Sequence, residues 1–235
     1  MKTIKIPCPG YEVVADWYET DDTKNIILFL IGWTSNRAKY KPLIEALQAI
    51  TGYSALVFDY SGHGDSPFDI GETRPAQQFL EVICVFDQLK ARHPDAAISI
   101  VGTNYGGFLA TQLTKYRQFD KLALRVPAIY KPSDFYTLNK DIDREWTNKV
   151  FRKDVEALAK HPLLARASSF KGRTLVVVHE NDELVPKETT DAFIKAFGAE
   201  TYLAKGFTHD FDPVSKSPEQ IKEYQAAIGH FLAAH

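Results

Sequence analysis

The sequence predicts an α/β fold in which helices cover both faces of a mostly parallel sheet. Short runs rich in Val, Ile and Leu alternate along the chain with longer amphipathic stretches, which is the order expected of βαβ units. In addition, residues 98–110 read as a strand, a glycine-flanked turn and a helix in immediate succession. At 235 residues, the chain lies within the range that such folds fill as one domain.

Five apolar runs are predicted as buried strands because they are short, rich in β-branched residues and bounded by turn residues. They are Ile26–Ile31, Ser54–Phe58, Ile98–Val101, Leu122–Val126 and Thr174–Val178. Amphipathic stretches, several with Pro, Ser or Thr near the start, are predicted as helices. They are Tyr40–Ile50, Pro75–Arg92, Tyr105–Tyr116, Lys187–Phe197 and Pro218–Ala233.

One polar stretch, Tyr130–Phe170, interrupts this alternation and contains a helical pattern at Val150–Ala159. Loops at the carboxyl ends of parallel strands often hold functional residues, so we expect a small cap or lid here. An ordinary connecting helix with long loops is the alternative. The prediction is a single domain, residues 1–235, with a cap insertion at about 130–170.

The composition argues against several classes of function. Lys and Arg number 28 against 30 Asp and Glu, so no strong field attracts nucleic acid or anionic lipid. The chain has two cysteines, Cys8 and Cys84, without CxxC spacing, so we expect a reduced, cytoplasmic environment. The sequence contains no Cys/His cluster of the kind that binds a metal, and we expect no cofactor. We expect no membrane segment, because no run of about 18 apolar residues and no secretory leader pattern occurs.

The turn Gly102–Gly107 is the most informative part of the chain. Its frame, Gly102-Thr-Asn-Tyr-Gly106, matches a G-x-S-x-G elbow with Asn104 at the centre. In such an elbow the glycines let strand and helix approach closely, and the strained central residue projects its side chain above the sheet. The turn lacks the Gly-Lys-Ser/Thr ending of a phosphate-binding loop.

With this elbow, the sequence resembles the α/β-hydrolase superfamily, in particular small serine hydrolases of the esterase or dienelactone-hydrolase type. Further segments resemble the family in the right order along nearly the whole chain. They are Leu30–Ser35, Phe58–Ser66, Leu124–Tyr130, Glu180–Pro186 and Lys205–Asp210. The resemblance implies an α/β-hydrolase fold and chemistry on ester or related acyl groups.

Carried over by position, the resemblance makes Asp182 the acid that orients an imidazole and His209 the general base. Backbone N–H groups of Trp33 and Tyr105 would form the oxyanion hole. Asp182 could instead be an ordinary turn residue, with Glu183 as the fallback acid, and His209 could be a surface histidine. Among the other histidines, His63 is expected to stabilise its own loop.

Two positions depart from the family pattern, namely Asn104 in place of serine and Ile31 in place of the usual histidine. An amide is not a useful nucleophile and has no ionisable proton, so acyl-enzyme chemistry should fail. Any surviving hydrolysis would use a water activated by His209. Changes at two positions favour natural drift over deliberate substitution, and a working use of the Asn104 amide stays open.

Two hypotheses follow. The first is an acyl hydrolase scaffold that is disabled or weakly active. The second is a non-catalytic binder of a small hydrophobic or carbonyl-bearing ligand, with Asn104 donating a hydrogen bond. Aromatic residues that either line such a site or merely pack are Trp33, Tyr105, Tyr130, Phe135, Tyr136 and Trp146. A disabled site of the dehalogenase or epoxide-hydrolase type, with asparagine in place of aspartate, ranks third.

Overall fold

The computed structural model describes residues 1–210 and 215–234. The strands in these ranges are β1 Lys2–Cys8, β2 Tyr11–Tyr18, β3 Asp22–Leu30, β4 Tyr53–Phe58, β5 Ala97–Thr103, β6 Lys121–Arg125, β7 Arg173–Asn181 and β8 Glu200–Thr208. They form one sheet in the order β1-β2-β4-β3-β5-β6-β7-β8. The pairings from β4 through β3 to β8 are parallel, and β2 joins them antiparallel to β4. The sheet is therefore mostly parallel, with an antiparallel β1–β2 hairpin at one edge.

The helices are α1 Lys41–Thr51, α2 Pro75–Arg92, α3 Tyr105–Leu113, α4 Arg144–Lys149, α5 Val155–Ala159, α6 Lys187–Phe197 and α7 Pro218–Ala233. The crossover through α1 runs from β3 to β4, whereas the crossover through α3 runs the opposite way across the sheet, from β5 to β6. Because parallel crossovers are right-handed, the two helices lie on opposite faces. α7 packs against α1, and α2 packs against α3. The predicted α/β architecture is confirmed.

All five predicted strands lie in the sheet, at β3, β4, β5, β6 and β7. β2 and β8 escape the prediction, and β1 shows in the sequence only as a strand-like segment at Cys8. The reason is that β1, β2 and β8 mix exposed or partly exposed residues with buried ones rather than forming a continuous apolar run. Such half-buried strands give a weaker signal than strands buried on both faces.

Two helix predictions need correction. The helix predicted over Tyr105–Tyr116 ends at Leu113, where the chain tightens into turns with the Tyr116 N–H donating to the Leu113 carbonyl. The single helix predicted over Val150–Ala159 is wrong. Asp154 divides it, because this residue has extended backbone and its side chain accepts a hydrogen bond from the Ala157 N–H, which starts α5 there.

Between β6 and β7 the chain forms a series of short helices and turns over residues 130–170, hereafter the 130–170 segment. It contains α4 and α5 together with four short 3₁₀ turns, at Pro132–Tyr136, Asn139–Asp141, Phe151–Lys153 and Leu164–Ser169. Because the segment leaves from the carboxyl end of β6, it begins at the edge of the sheet where the elbow after β5 also lies.

No helix in the part of the chain that the structure describes combines the length and apolar character needed to cross a bilayer. The apolar core instead lies between the sheet and its helices, and the central strand β4 is buried along its whole length.

Candidate active site

The turn after β5 is a sharp elbow with Asn104 at its apex. Asn104 has φ +48° and ψ −106°, a strained conformation for any residue with a side chain. The glycines around it are required by close approach of the backbone. A Cβ at Gly106 would lie 2.0 Å from the Leu30 carbonyl oxygen, and one at Gly102 would lie 2.8 Å from the Gly106 carbonyl oxygen. Strand, elbow and helix can therefore pack this tightly only with glycine at these positions.

Asn104, Asp182 and His209 follow the carboxyl ends of β5, β7 and β8, and their side chains come together. Asn104 Nδ2 lies 3.2 Å from His209 Nε2. On the other side of the ring, His209 Nδ1 lies 2.8 Å from Asp182 Oδ2 and 2.9 Å from Oδ1. An amide nitrogen only donates and a carboxylate only accepts, so Nδ1 holds the ring proton and Nε2 accepts from Asn104.

The turn after β7 holds Asp182 in place. Its Oδ1 accepts hydrogen bonds from the N–H groups of Leu184, at 2.8 Å, and Val185, at 2.7 Å. The Asp182 side chain is only 2% exposed, while the neighbouring Glu183 is exposed and makes no contact with His209. The geometry therefore pairs His209 with Asp182 and not with the fallback acid.

The backbone near Asn104 presents two N–H groups without partners. The Gly32 N–H donates to the Tyr40 hydroxyl at 2.8 Å, which fixes the turn that follows β3. The N–H groups of Trp33 and Tyr105 donate to no residue in the described ranges. Tyr105 is the first residue of α3, where helix geometry leaves N–H groups unpaired. These two groups are available to a ligand carbonyl oxygen.

Ile31, the second departure from the family pattern, is fully buried. Its carbonyl accepts a hydrogen bond from the Tyr60 hydroxyl at 3.3 Å. The turn that begins at Gly32 is therefore anchored without a histidine at position 31.

Behind the histidine, a second ring supports the loop that bears it. His179 Nδ1 lies 2.7 Å from the Thr208 carbonyl oxygen, and His179 Nε2 lies 3.0 Å from the Tyr224 hydroxyl. Tyr224 accepts in turn from Arg125 Nε at 2.8 Å. Burial, together with the nearby Arg125 charge, lowers the pKa of His179 to about 4. His179 is therefore neutral near pH 7 and acts in hydrogen bonding.

A cavity of about 490 Å³ opens beside the elbow. Trp33, Asn104 and His209 line it, and Leu43 and Ile221 add apolar surface. A cavity of this size is typical of small-ligand sites. No group of three or more His, Cys, Asp or Glu side chains suited to a metal occurs within residues 1–210 and 215–234.

The aromatic residues named from the sequence divide into two sets. Trp33 and Tyr130 pack edge-on against Tyr105, at 5.4 and 5.7 Å between ring centroids. Phe135 packs against Phe108 on α3. By contrast, Tyr136 and Trp146 are 73% and 41% exposed. Of the six aromatic residues, only Trp33 lines the cavity beside the elbow, and the others of the first set pack around α3.

Three further side chains have contacts that do not involve the reacting atoms. The Thr103 hydroxyl, beside Asn104, accepts from Arg125 Nη1 at 3.2 Å. His63 is buried, packs edge-on against Trp33 and lies 3.3 Å from the Ser61 carbonyl through Nδ1. Cys84 is half-buried and donates to the Pro7 carbonyl at the N-terminal hairpin.

Three residues near the site gave no functional signal in the sequence, namely His179, Arg144 and Arg152. The sequence shows His179 only as a histidine near a strand end. The two arginines lie in the polar 130–170 segment, where charged residues are normally solvated. A local signal that the prediction over Val150–Ala159 missed is Asp154, an N-cap residue that starts α5.

Comparison with solved structures defines the fold. Est1E from Butyrivibrio proteoclasticus, with bound ferulic acid, superposes with a TM-score of 0.74 at 18% identity, covering 96% of this chain and 97% of that one. The Pyrococcus furiosus esterase Pf2001 gives a TM-score of 0.72 at 22% identity, covering 98% and 91%. A Paleococcus ferrophilus monoacylglycerol lipase gives 0.72 at 17% identity, covering 95% and 99%. At these identities the likeness establishes the α/β-hydrolase fold.

Sequence comparison then gives the family. Residues 21–154, more than half of the chain, match the family described as serine aminopeptidase, S33, and the chain belongs to it. The lysophosphatidylserine lipase ABHD12 of Rattus norvegicus is 32% identical over 102 residues, which is 42% of this chain and 25% of that protein. Its Xenopus tropicalis counterpart is 30% identical over 103 residues, or 43% and 26%. The match thus spans about a quarter of the length of these curated relatives.

Proposed function

We propose that the chain is an ester or acyl hydrolase scaffold of the esterase and lipase type whose nucleophile position is occupied by Asn104. The 3.2 Å contact between Asn104 Nδ2 and His209 Nε2, with Asp182 behind the ring, is the observation on which the proposal rests. An oxygen nucleophile at position 104 would meet the imidazole through the same atom. The named esterases and lipases among the similar proteins support an ester or lipid acyl group as the class of substrate.

In this proposal Asn104 weakens catalysis in two ways. The amide supplies neither an attacking oxygen nor a proton that His209 could remove, so no acyl-enzyme forms. The amide also donates to the Nε2 lone pair, which a water molecule would need in order to be activated by His209. Hydrolysis through a directly activated water therefore requires the Asn104 side chain to turn away first, so the chain is inactive or weakly active.

A second candidate function, a non-catalytic binder, is favoured by one observation. The unpaired N–H groups of Trp33 and Tyr105 and the cavity of about 490 Å³ remain suited to a carbonyl-bearing ligand whether or not chemistry follows. The two candidates share the site and differ in turnover.

The substitution Asn104→Ser tests the proposal. With p-nitrophenyl butyrate as substrate, we expect a burst of p-nitrophenolate followed by steady turnover at least about 10³-fold above the native chain, because the missing triad member is restored. The matched control is Asn104→Ala, which frees the Nε2 lone pair but adds no nucleophile, and it should show no burst.

A folded Asn104→Ser variant without turnover on this ester or on longer-chain esters would count against the hydrolase scaffold and favour the binder. Equal gains in the serine and alanine variants would show instead that His209 works through water. Circular dichroism and the midpoint of thermal unfolding establish that each variant is folded before its rate is compared.

A further inference from the structure

Arg144, the first residue of α4, lies across the ring of Trp33, with its guanidinium carbon 3.8 Å from a ring centroid. Nη1 and Nη2 donate to the backbone and side-chain oxygens of Asn139. Nε is buried and has no hydrogen-bond partner among the described residues. The Asn139 contacts leave unused the guanidinium edge formed by Nε and the second hydrogen of Nη2.

Arg152 is a second buried cation in the same segment. It is 3% exposed and donates to two neutral acceptors, the carbonyls of Ile129 at 3.2 Å and Leu184 at 2.9 Å. Within the described ranges, neither Arg144 nor Arg152 forms a salt bridge with a carboxylate. Burial lowers the pKa of both guanidinium groups. Buried cations in proteins are normally paired with an anion, so the buried Arg152 and the buried Nε of the half-buried Arg144 are unusual in having no ion-pair partner among the described residues.

The charged groups around Arg144 do not neutralise the positive charge of this part of the structure. Asp134 is close enough to interact electrostatically with Arg144, and Lys131 lies 3.7 Å from Asp134. Arg152 interacts electrostatically with a different carboxylate, Asp182. The three cations Lys131, Arg144 and Arg152 of the 130–170 segment therefore outnumber the two carboxylates, Asp134 and Asp182, that interact with them. The excess positive charge lies next to Trp33 and Tyr130, whose rings Arg144 and Arg152 contact.

Trp33 connects this positive charge to the elbow. Its indole ring contacts Arg144 on one side and Tyr105 on another, while its backbone N–H is one of the two unpaired donors near Asn104. A ligand whose carbonyl oxygen accepts from that N–H can extend along the Trp33 side chain toward Arg144.

We propose that Arg144 anchors a subsite for a carboxylate carried by the ligand, separate from the carbonyl group that the elbow receives. The free guanidinium edge presents two N–H donors side by side, which matches the two oxygens of a carboxylate. The ligand class is therefore an ester that also bears a free carboxylate, such as a half-ester of a dicarboxylic acid. The proposal rests on the proposed function for the placement of the ester end.

The test is isothermal titration of the native chain with monomethyl adipate and with dimethyl adipate, which differ in one negative charge. We expect the monoester to bind at least about tenfold more tightly, the size of effect that one charge-assisted contact produces. Arg144→Gln should abolish this preference. The matched control is Lys149→Gln, an exposed cation on the same helix, which should keep it.

Equal affinity of the native chain for the two esters overturns the proposal, whether or not the Arg144 variant folds. A preference that persists in folded Arg144→Gln also overturns it, because the carboxylate then binds elsewhere, for instance at the elbow. Arg144→Lys retains the charge and loses the paired donors, so it should keep only part of the preference. These readouts measure binding, so they remain decisive if Asn104→Ser gives no turnover.

Discussion

His179 Nδ1 donates a hydrogen bond of 2.7 Å to the carbonyl oxygen of Thr208, the residue before His209. The other nitrogen of the ring accepts from the Tyr224 hydroxyl at 3.0 Å. The first contact needs a proton on Nδ1 and the second needs an unprotonated Nε2, so together they specify the neutral ring, and burial favours that form by lowering the pKa of His179 to about 4. One buried histidine thus fixes the end of β8 from which the proposed base extends.

This burial predicts that the chain loses stability in mild acid. Unfolded histidine has a pKa of about 6.5, so the unfolded chain takes up a proton between that pH and the folded pKa of about 4. The contribution of His179 to the free energy of unfolding should therefore be fully present above about pH 6.5. It should decrease as the pH falls from there toward about 4, by up to roughly 3 kcal/mol. Urea unfolding measured from pH 4.5 to 7.5, a range of about three units, checks this.

The control for that experiment is His179→Gln, which cannot titrate. Its stability should be lower at neutral pH and should depend less steeply on pH than that of the native chain. Burial also lowers the pKa of His63 and His161, so some slope remains in the variant. Identical slopes in the two proteins would mean that His179 titrates normally in the folded state.

A second prediction concerns the elbow. Gly106→Ala would place a Cβ 2.0 Å from the Leu30 carbonyl oxygen, which is backbone in the central strand β3 and cannot move aside cheaply. We expect a loss of more than about 3 kcal/mol in the free energy of unfolding, or failure to fold. Gly198→Ala is the control: its φ is +60° but no atom lies within 4 Å of the added Cβ, so it should cost only about 1 kcal/mol. If both substitutions lowered the free energy of unfolding by a similar amount, the short distance to the Leu30 carbonyl would not explain the effect at Gly106.

A third prediction concerns the buried carboxylate of Asp59, which joins two loops near the oxyanion turn. Asp59 accepts from the Arg37 N–H at 2.7 Å, from Arg37 Nη1 at 2.5 Å and from the Asp65 N–H at 3.1 Å. Asp59→Asn keeps the shape but removes the most deeply buried of the three carboxylates paired with Arg37, the others being Asp16 and Asp65. We expect a loss of about 3 kcal/mol, measured by chemical denaturation, because breaking a buried ion pair leaves a buried charge less compensated.

Asp87→Asn provides the comparison for Asp59. The Asp87 carboxylate also contacts an arginine, Arg117, at 2.6 Å, but the two side chains are 46% and 35% exposed. An exposed pair of this kind contributes below about 1 kcal/mol. If the two substitutions cost the same, burial does not set the strength of the Asp59 contacts.

The parts of the molecule that the sequence reveals are those in which one physical requirement dominates. Strands such as β4, buried on both faces, must be apolar throughout, so the five strands at β3 to β7 stand out in the sequence. The elbow stands out because close backbone approach demands glycine at fixed spacing. Asp182 could be named because it follows a recognisable strand within a motif of the family, whereas His209 could be named only because the segment Lys205–Asp210 resembles a family motif.

The remaining features depend on tertiary contacts that leave no local pattern. β8 buries few residues and contains Lys205 and Gly206 near its end, so its pairing with β7 is visible only in three dimensions. Arg144 and Arg152 look like surface residues of a polar segment until the fold buries Arg152 and the Nε atom of Arg144. His179 is recognisable as a support only once the Thr208 carbonyl and Tyr224 are in place.

The last prediction separates Asp182 from its neighbour Glu183 in the Asn104→Ser background. Asp182 lies 2.8 Å from His209 Nδ1 and, as a carboxylate, can only accept, so it keeps the ring proton on Nδ1 and leaves Nε2 free to take a proton from serine. Asp182→Asn can donate to Nδ1 and thereby favours the wrong tautomer, and we expect kcat on p-nitrophenyl butyrate to fall by about 10⁴. Glu183→Gln changes an exposed carboxylate one residue away and should leave kcat unchanged. If activity were lost only in the Glu183 variant, Glu183 and not Asp182 would be the acid that orients His209. The loop after β7 would then have to shift by one residue when serine is restored.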